Sequence, residues 1–305
     1  MEKTKFTASF LNVMKKFIEF PLTRIILGIF LLSKLISLFQ EFSRGVSMDF
    51  FKNHVPLRIF LIDGVLFCIV IVVFYCFFVR LFERRSVKEF SRKGAIQESF
   101  LGYSIGTGII SLIILSLFLL NCYSVVGMNP VPFFRVVSSF LGGAFLQEIV
   151  TRGIIFRIVE EKLGSVIALI LSSFYFGYQH FNNPHATFWT VLLISLEAGI
   201  LLAAAYMVTR RLWFPIFIHW GWNLTLGSIF GLSVSGMEVN YNILNSKLSG
   251  PIYLTGGDFG PEASIITFII CSSIAIVFLH IAYKKGHFIQ PFWYKKTSLV
   301  KTSTK

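Results

Sequence analysis

Eight long apolar runs constrain this chain more than any other feature. They lie near 22–41, 57–81, 99–121, 133–158, 164–180, 188–208, 212–232 and 263–283. A helix of about twenty apolar residues crosses a hydrocarbon core of roughly 30 Å. Lipid offers no partner to a free backbone amide, so runs of this length are expected to be helical throughout. The predicted fold class is all-α, a polytopic membrane helical bundle of about eight spans. Composition agrees, because 55% hydrophobic residues against 14% charged exceeds what an ordinary water-soluble core can bury.

The net charge of +13 raises the question of a nucleic-acid partner. The basic residues instead fall at run ends: in the first twenty residues, over Arg80, Arg84, Arg85, Lys88, Arg92 and Lys93, at Arg210 and Arg211, and from Lys284 onward. With eight spans all four clusters share one side, and the positive-inside rule places both termini in the cytoplasm. No nucleic acid is expected as a partner; the bilayer is. Cys68, Cys76, Cys122 and Cys271 lie in or beside apolar runs without CxxC spacing and read as small core residues.

The predicted organisation is a basic amphipathic segment over 1–20, N-terminal spans over 21–125, a motif-bearing core over 126–285 and a basic tail over 286–305. Lys3, Lys5, Lys15 and Lys16 among Phe6, Phe10, Leu11 and Phe17 suit a helix lying in the membrane surface. No short apolar stretch with a small-residue cleavage site follows, so a cleaved signal peptide is not expected. The longest loop on the far side, 233–262, is rich in Gly and Pro.

Ionisable side chains inside spans cost roughly 2.5–3.5 kcal/mol each on insertion scales, so each one implies a partner or a task. Glu148 and Arg152 occupy span four, His180 ends span five, Glu197 lies in span six, and His219 and Asn223 lie in span seven. Residues four apart share a helix face, so Glu148 with Arg152, and His219 with Asn223, can each project into one interior space. Taken alone, Glu148 and Arg152 read as a buried ion pair, and His180 as an interfacial cap. Together, three helices bring acid, base and amide donors to one place. Glu197, near Gly199 and the run Ala203 to Ala205, is expected to make a structural hydrogen bond within close helix packing. Asp63 reads as a packing feature, and Trp220 and Trp222 as pocket-lining candidates.

Written out, the elements are Gln147-Glu148-Ile149-Val150-Thr151-Arg152-Gly153, Phe176-Gly177-Tyr178-Gln179-His180 and His219-Trp220-Gly221-Trp222-Asn223. In order and spacing they resemble the CPBP family of intramembrane proteases, which includes type II CAAX prenyl endopeptidases and bacteriocin-immunity relatives, with motifs EExxxR, FxxxH and HxxxN. The resemblance covers roughly 135–285, and the stretch Leu254 to Glu262 resembles a loop of bacterial members. It implies a hydrophobic or membrane-associated peptide as substrate, water activated by the acidic motif with His180, an oxyanion held by His219 and Asn223, and Arg152 in support. It also implies a bacterial cell membrane as the location. No metal is favoured; a zinc ion would take Glu148, His180 and His219. One position departs from the family: Gln147 stands where the motif has its first glutamate, and an amide takes no proton. Either Glu148 serves with His180, or the chain is a catalytically impaired peptide-binding or immunity protein. A transporter is a third reading, carried only by the span number and the interior polar groups.

Overall fold

The computed structural model describes residues 19–46 and 55–294. The expected amphipathic segment, apart from its last two residues, and the end of the basic tail lie outside the described residues. The protein is a helical integral membrane protein. Eight helical segments correspond to the eight apolar runs: α1 (Pro21–Gly45), α2 (Val55–Glu83), α3 (Ala95–Leu119), α5 (141–163), α6 (165–178), α7 (Phe188–Thr209), α8 (213–229) and α10 (Ile265–Lys284), with short helices α4 (Phe133–Ser138) and α9 (Ile252–Thr255) between them. Five of the eight, α1, α2, α3, α7 and α10, are long and apolar enough to cross a membrane by length and composition. The other three, α5, α6 and α8, carry the three motifs.

The expected span over 133–158 is divided. Phe140 adopts a left-handed conformation, φ 63°, so α4 ends and α5 begins afresh at Leu141. Helix then continues to Gly164, where φ 79° and ψ 169° reverse the chain. A side chain at that φ is strained, and a Cβ on Gly164 would also stand 2.8 Å from Ile289 O, so glycine alone fits. Because the turn costs one residue, α5 and α6 share an end and run back to back.

That shared end is where the basic clusters gather. Arg157 pairs with Glu83 and, at 2.7 Å, with Glu161; Arg24 reaches Glu161 at 2.9 Å; Arg210 reaches Glu160 at 2.5 Å; and Arg211 pairs with Glu98. The start of α1 and α3 and the end of α2, α5 and α7 therefore meet at one face.

At the opposite end the expectation of helix alone is corrected. β1 (Tyr123–Met128) and β2 (Leu244–Leu248) form an antiparallel pair, with Tyr123 opposite Leu248 and Met128 opposite Leu244. Outside the apolar runs the chain has no helical pattern to follow, and pairing satisfies the two loops' backbone groups mutually.

α3 and α8 pack backbone to backbone. A Cβ on Gly102 would stand 2.6 Å from Phe214 O, and one on Gly106 2.1 Å from Ile218 O. In lipid, where apolar side chains gain little by leaving the solvent, such small-residue contacts are what bring helices together. α7 meets α6 in the same way, with Gly199 against the backbone of Ser173, as its small-residue composition suggested. The four cysteines are free, and Cys68, Cys122 and Cys271 are buried.

Candidate active site

The three motifs converge. Glu148 and Arg152, both 0% exposed, lie one turn apart on α5, and Arg152 Nη1 donates to Glu148 Oε1 at 2.8 Å. From α8, His219 Nδ1 lies 3.1 Å from the same oxygen. Arg152 Nη2 donates to Gly199 O at 2.8 Å, tying α5 to α7. Its guanidinium also covers the Phe176 ring, 4.7 Å from the centroid. Phe176 in turn contacts both histidine rings, 5.0 Å from His180 and 5.6 Å from His219.

On straight vertical spans His180 and His219 would stand at different depths. α6 closes that gap by ending early, at Tyr178, after which the chain turns and His180 Nδ1 comes back to Phe176 O at 2.7 Å. A carbonyl only accepts, so Nδ1 carries the hydrogen, and the neutral ring keeps a lone pair on Nε2.

Beside this web is a cavity of about 20 Å3, room for about one water molecule. Its polar wall comprises His180, His219, Trp222, Asn223, Ser235 and Glu262. Glu148 is not on that wall: its Oε1 is shared by Arg152 and His219, and its Oε2 has no hydrogen-bond partner among the described residues. Gln147 is half-buried and also off the wall. The helical offset of about 100° between neighbours thus turns neither residue of the acidic motif into the cavity.

Two expectations change. Glu197 makes no hydrogen bond: both carboxyl oxygens are buried without a partner among the described residues, because the tight α6 and α7 contact leaves no donor at its tip. Trp220 turns away, donating to Ser139 O at 3.0 Å and meeting the Tyr103 ring at a tilt of 47°, while Trp222 does line the cavity. Asp63, as expected, serves packing, accepting from Ser43 at 2.5 Å and from Arg58 at 3.3 Å.

Glu262 and Ser235 were not singled out from the sequence. Trp222 Nε1 donates to Glu262 Oε1 at 2.9 Å, and Ser235 donates its backbone N–H and, at 3.2 Å, its hydroxyl to Oε2. The signals available for Glu262 were the resemblance of the stretch Leu254 to Glu262 to a loop of bacterial members and its place directly after Pro261 at the mouth of an apolar run.

The family resemblance offers a zinc ion on Glu148, His180 and His219 as an alternative to metal-free chemistry. Among the described residues no three His, Cys, Asp or Glu side chains converge on a common point. Glu148 Oε1 is already committed to Arg152 and His219, and the residues present do not fit a three-ligand zinc site.

Residues 129–225 match the family model described as type II CAAX prenyl endopeptidase Rce1-like, and all three motifs fall inside that stretch. Over this stretch the chain is similar to the type II CAAX prenyl endopeptidases of the CPBP family. The chain is also 37% identical over 92 residues to YdiL of Bacillus subtilis (strain 168), named as a candidate membrane peptidase. That match spans 30% of this chain and 35% of YdiL, so the chain covers about a third of the relative's length. No solved structure matches. α1, α2, α3 and α10 lie outside the matched stretch.

Proposed function

We propose that this chain is an intramembrane endopeptidase that hydrolyses a peptide bond of a hydrophobic or membrane-associated peptide. The observation that carries the reading is the meeting of His180, His219 and Asn223 on one cavity with room for about one water. His180 Nε2, with its lone pair free, accepts a hydrogen bond from that water. Glu148 accepts from His219 Nδ1 and fixes that ring beside the reacting carbonyl. The Asn223 amide supplies the N–H donors. Such fixed donors, out of bulk water, stabilise an oxyanion without reorganising. Arg152 offsets the buried charge of Glu148, which otherwise costs several kcal/mol or more.

Purified protein and its His219→Ala and Glu148→Ala variants, incubated with internally quenched hydrophobic peptides, test this reading. The expected result is cleavage by the wild type and its loss in both variants, with the fold retained in His219→Ala. Cleavage persisting in both variants rejects it.

A second reading is favoured by Gln147 and by the commitment of Glu148 to Arg152 and His219: a silent member that binds a peptide without cutting it. It predicts that wild-type protein is inert and that Gln147→Glu confers cleavage. In either reading both termini are placed at the cytoplasmic face, on the side of the basic clusters, in a bacterial membrane.

A further inference from the structure

The peptidase reading lacks one component. A water attacking a carbonyl must lose a proton, and the family's position for that carboxylate holds Gln147. Glu148, one residue on, is turned to Arg152 and His219 instead of the cavity. The carboxylate that does stand on the cavity wall comes from outside the three motifs and, in sequence, from beyond the family match.

Glu262 is held there firmly. The loop before it is fixed by Gly236 N donating to Phe259 O at 2.8 Å. Gly260, at φ 105°, presses so close to Ser233 O that a Cβ would stand 2.6 Å away. After it, Ser264 caps α10 by accepting from Thr267 N, and Thr267 Oγ1 donates to Pro261 O at 2.7 Å. The side chain is aimed by Trp222, which lies between His219 and Asn223 in motif three, and by Ser235. These contacts use both lone pairs of Oε2 and one of Oε1, leaving one on Oε1. Burial pushes the carboxyl above its usual range, while the donors from Ser235 and Trp222 hold it down. The result is a base stronger than an exposed glutamate.

We propose that Glu262 is the carboxylate that takes the proton from the attacking water in this chain, in place of the glutamate absent at position 147. The assignment rests on the peptidase reading. The water's O–H bond breaks, with its proton passing to Glu262 Oε1. The oxygen bonds to the carbonyl carbon, whose π pair moves to the oxygen facing His219 and Asn223. Collapse of the tetrahedral species breaks the C–N bond, and the proton on Glu262 passes to the leaving nitrogen. Peptide and water become acid and amine, with Glu262 restored. The competing, purely structural role is a latch that pins the 231–262 loop to α8.

The test uses full-length protein in liposomes with an internally quenched hydrophobic peptide, comparing wild type, Glu262→Gln and Glu262→Asp. The expected result is a fall in kcat of about 100-fold or more in Glu262→Gln, with KM and melting midpoint held. The acidic limb of the wild-type pH profile disappears with it. Should Glu262→Gln fail to fold, Glu262→Asp keeps the charge but retracts it by one methylene, and a fall in kcat of about tenfold or more at constant KM supports the assignment. Two results overturn it: Glu262→Gln within about threefold of wild type, or losses in both variants that merely track the amount of folded protein with the acidic limb unchanged. A folded wild type that cleaves no peptide overturns the peptidase reading itself, and this assignment with it; an active wild type beside an equally active Glu262→Gln overturns the assignment alone.

Discussion

His219 Nδ1 and Glu148 Oε1 stand 3.1 Å apart, joining motif three to motif one across 71 residues of chain. Because Arg152 Nη1 reaches the same oxygen at 2.8 Å, one carboxylate oxygen orients an imidazole and neutralises a buried guanidinium. That double duty explains both the placement of the histidine and the absence of Glu148 from the cavity wall.

Removing Glu148 alone leaves Arg152, which is 0% exposed, as an uncompensated buried charge. Glu148→Ala is expected to destabilise the protein by about 3–5 kcal/mol, read as a drop in melting midpoint in detergent. The double variant Glu148→Leu with Arg152→Met is expected to cost less than Glu148→Ala, since it buries no charge.

Asn223 lines the cavity, and the proposed function makes it an oxyanion donor. Asn223→Ala is therefore expected to lower kcat about 100- to 1,000-fold with KM nearly unchanged, as measured by cleavage of a quenched peptide. An equal rise in KM with constant kcat would assign Asn223 to substrate binding instead.

The α3 and α8 contact sets the position of His219. A Cβ on Gly106 meets Ile218 O at 2.1 Å and Trp222 N at 2.8 Å, both backbone atoms that cannot rotate away. Gly106→Ala is expected to push the helices apart, costing about 1–3 kcal/mol, and to lower cleavage although the residue touches no polar group of the site. Gly108, with nothing within 4 Å, is the control at which alanine is tolerated.

Asn183, three residues after His180, donates from Nδ2 to Ser235 O at 2.9 Å, fastening the loop that closes the cavity. Asn183→Ala is expected to speed amide hydrogen exchange over 231–236 without altering the exchange of α5, since a loop held by few bonds opens locally. Uniformly faster exchange across the bundle would show that the bond supports the whole fold.

Much of this protein is legible along the chain, and the line between what was and was not follows the range of the interactions. Hydrophobic runs report helices because a helix satisfies its own backbone, and spacing of four pairs Glu148 with Arg152 and His219 with Asn223 for the same local reason. The motif order marked α5, α6 and α8 as the helices that meet.

Sequence alone determined that this chain is a bundle of membrane helices with acid, histidine and amide groups on three of them. Tertiary structure decided which way those groups turn: Gly164 ends α5 and sends α6 back, the early end of α6 brings His180 level with His219, and glycine contacts fix the approach of α8. It also carried Glu262 across from a loop that had no helical period to read, and it left Glu197 buried without a donor. Local periodicity fixes a helix and its faces, but the rotation, depth and partner of each face depend on contacts between segments far apart in the chain, which no stretch of sequence contains by itself.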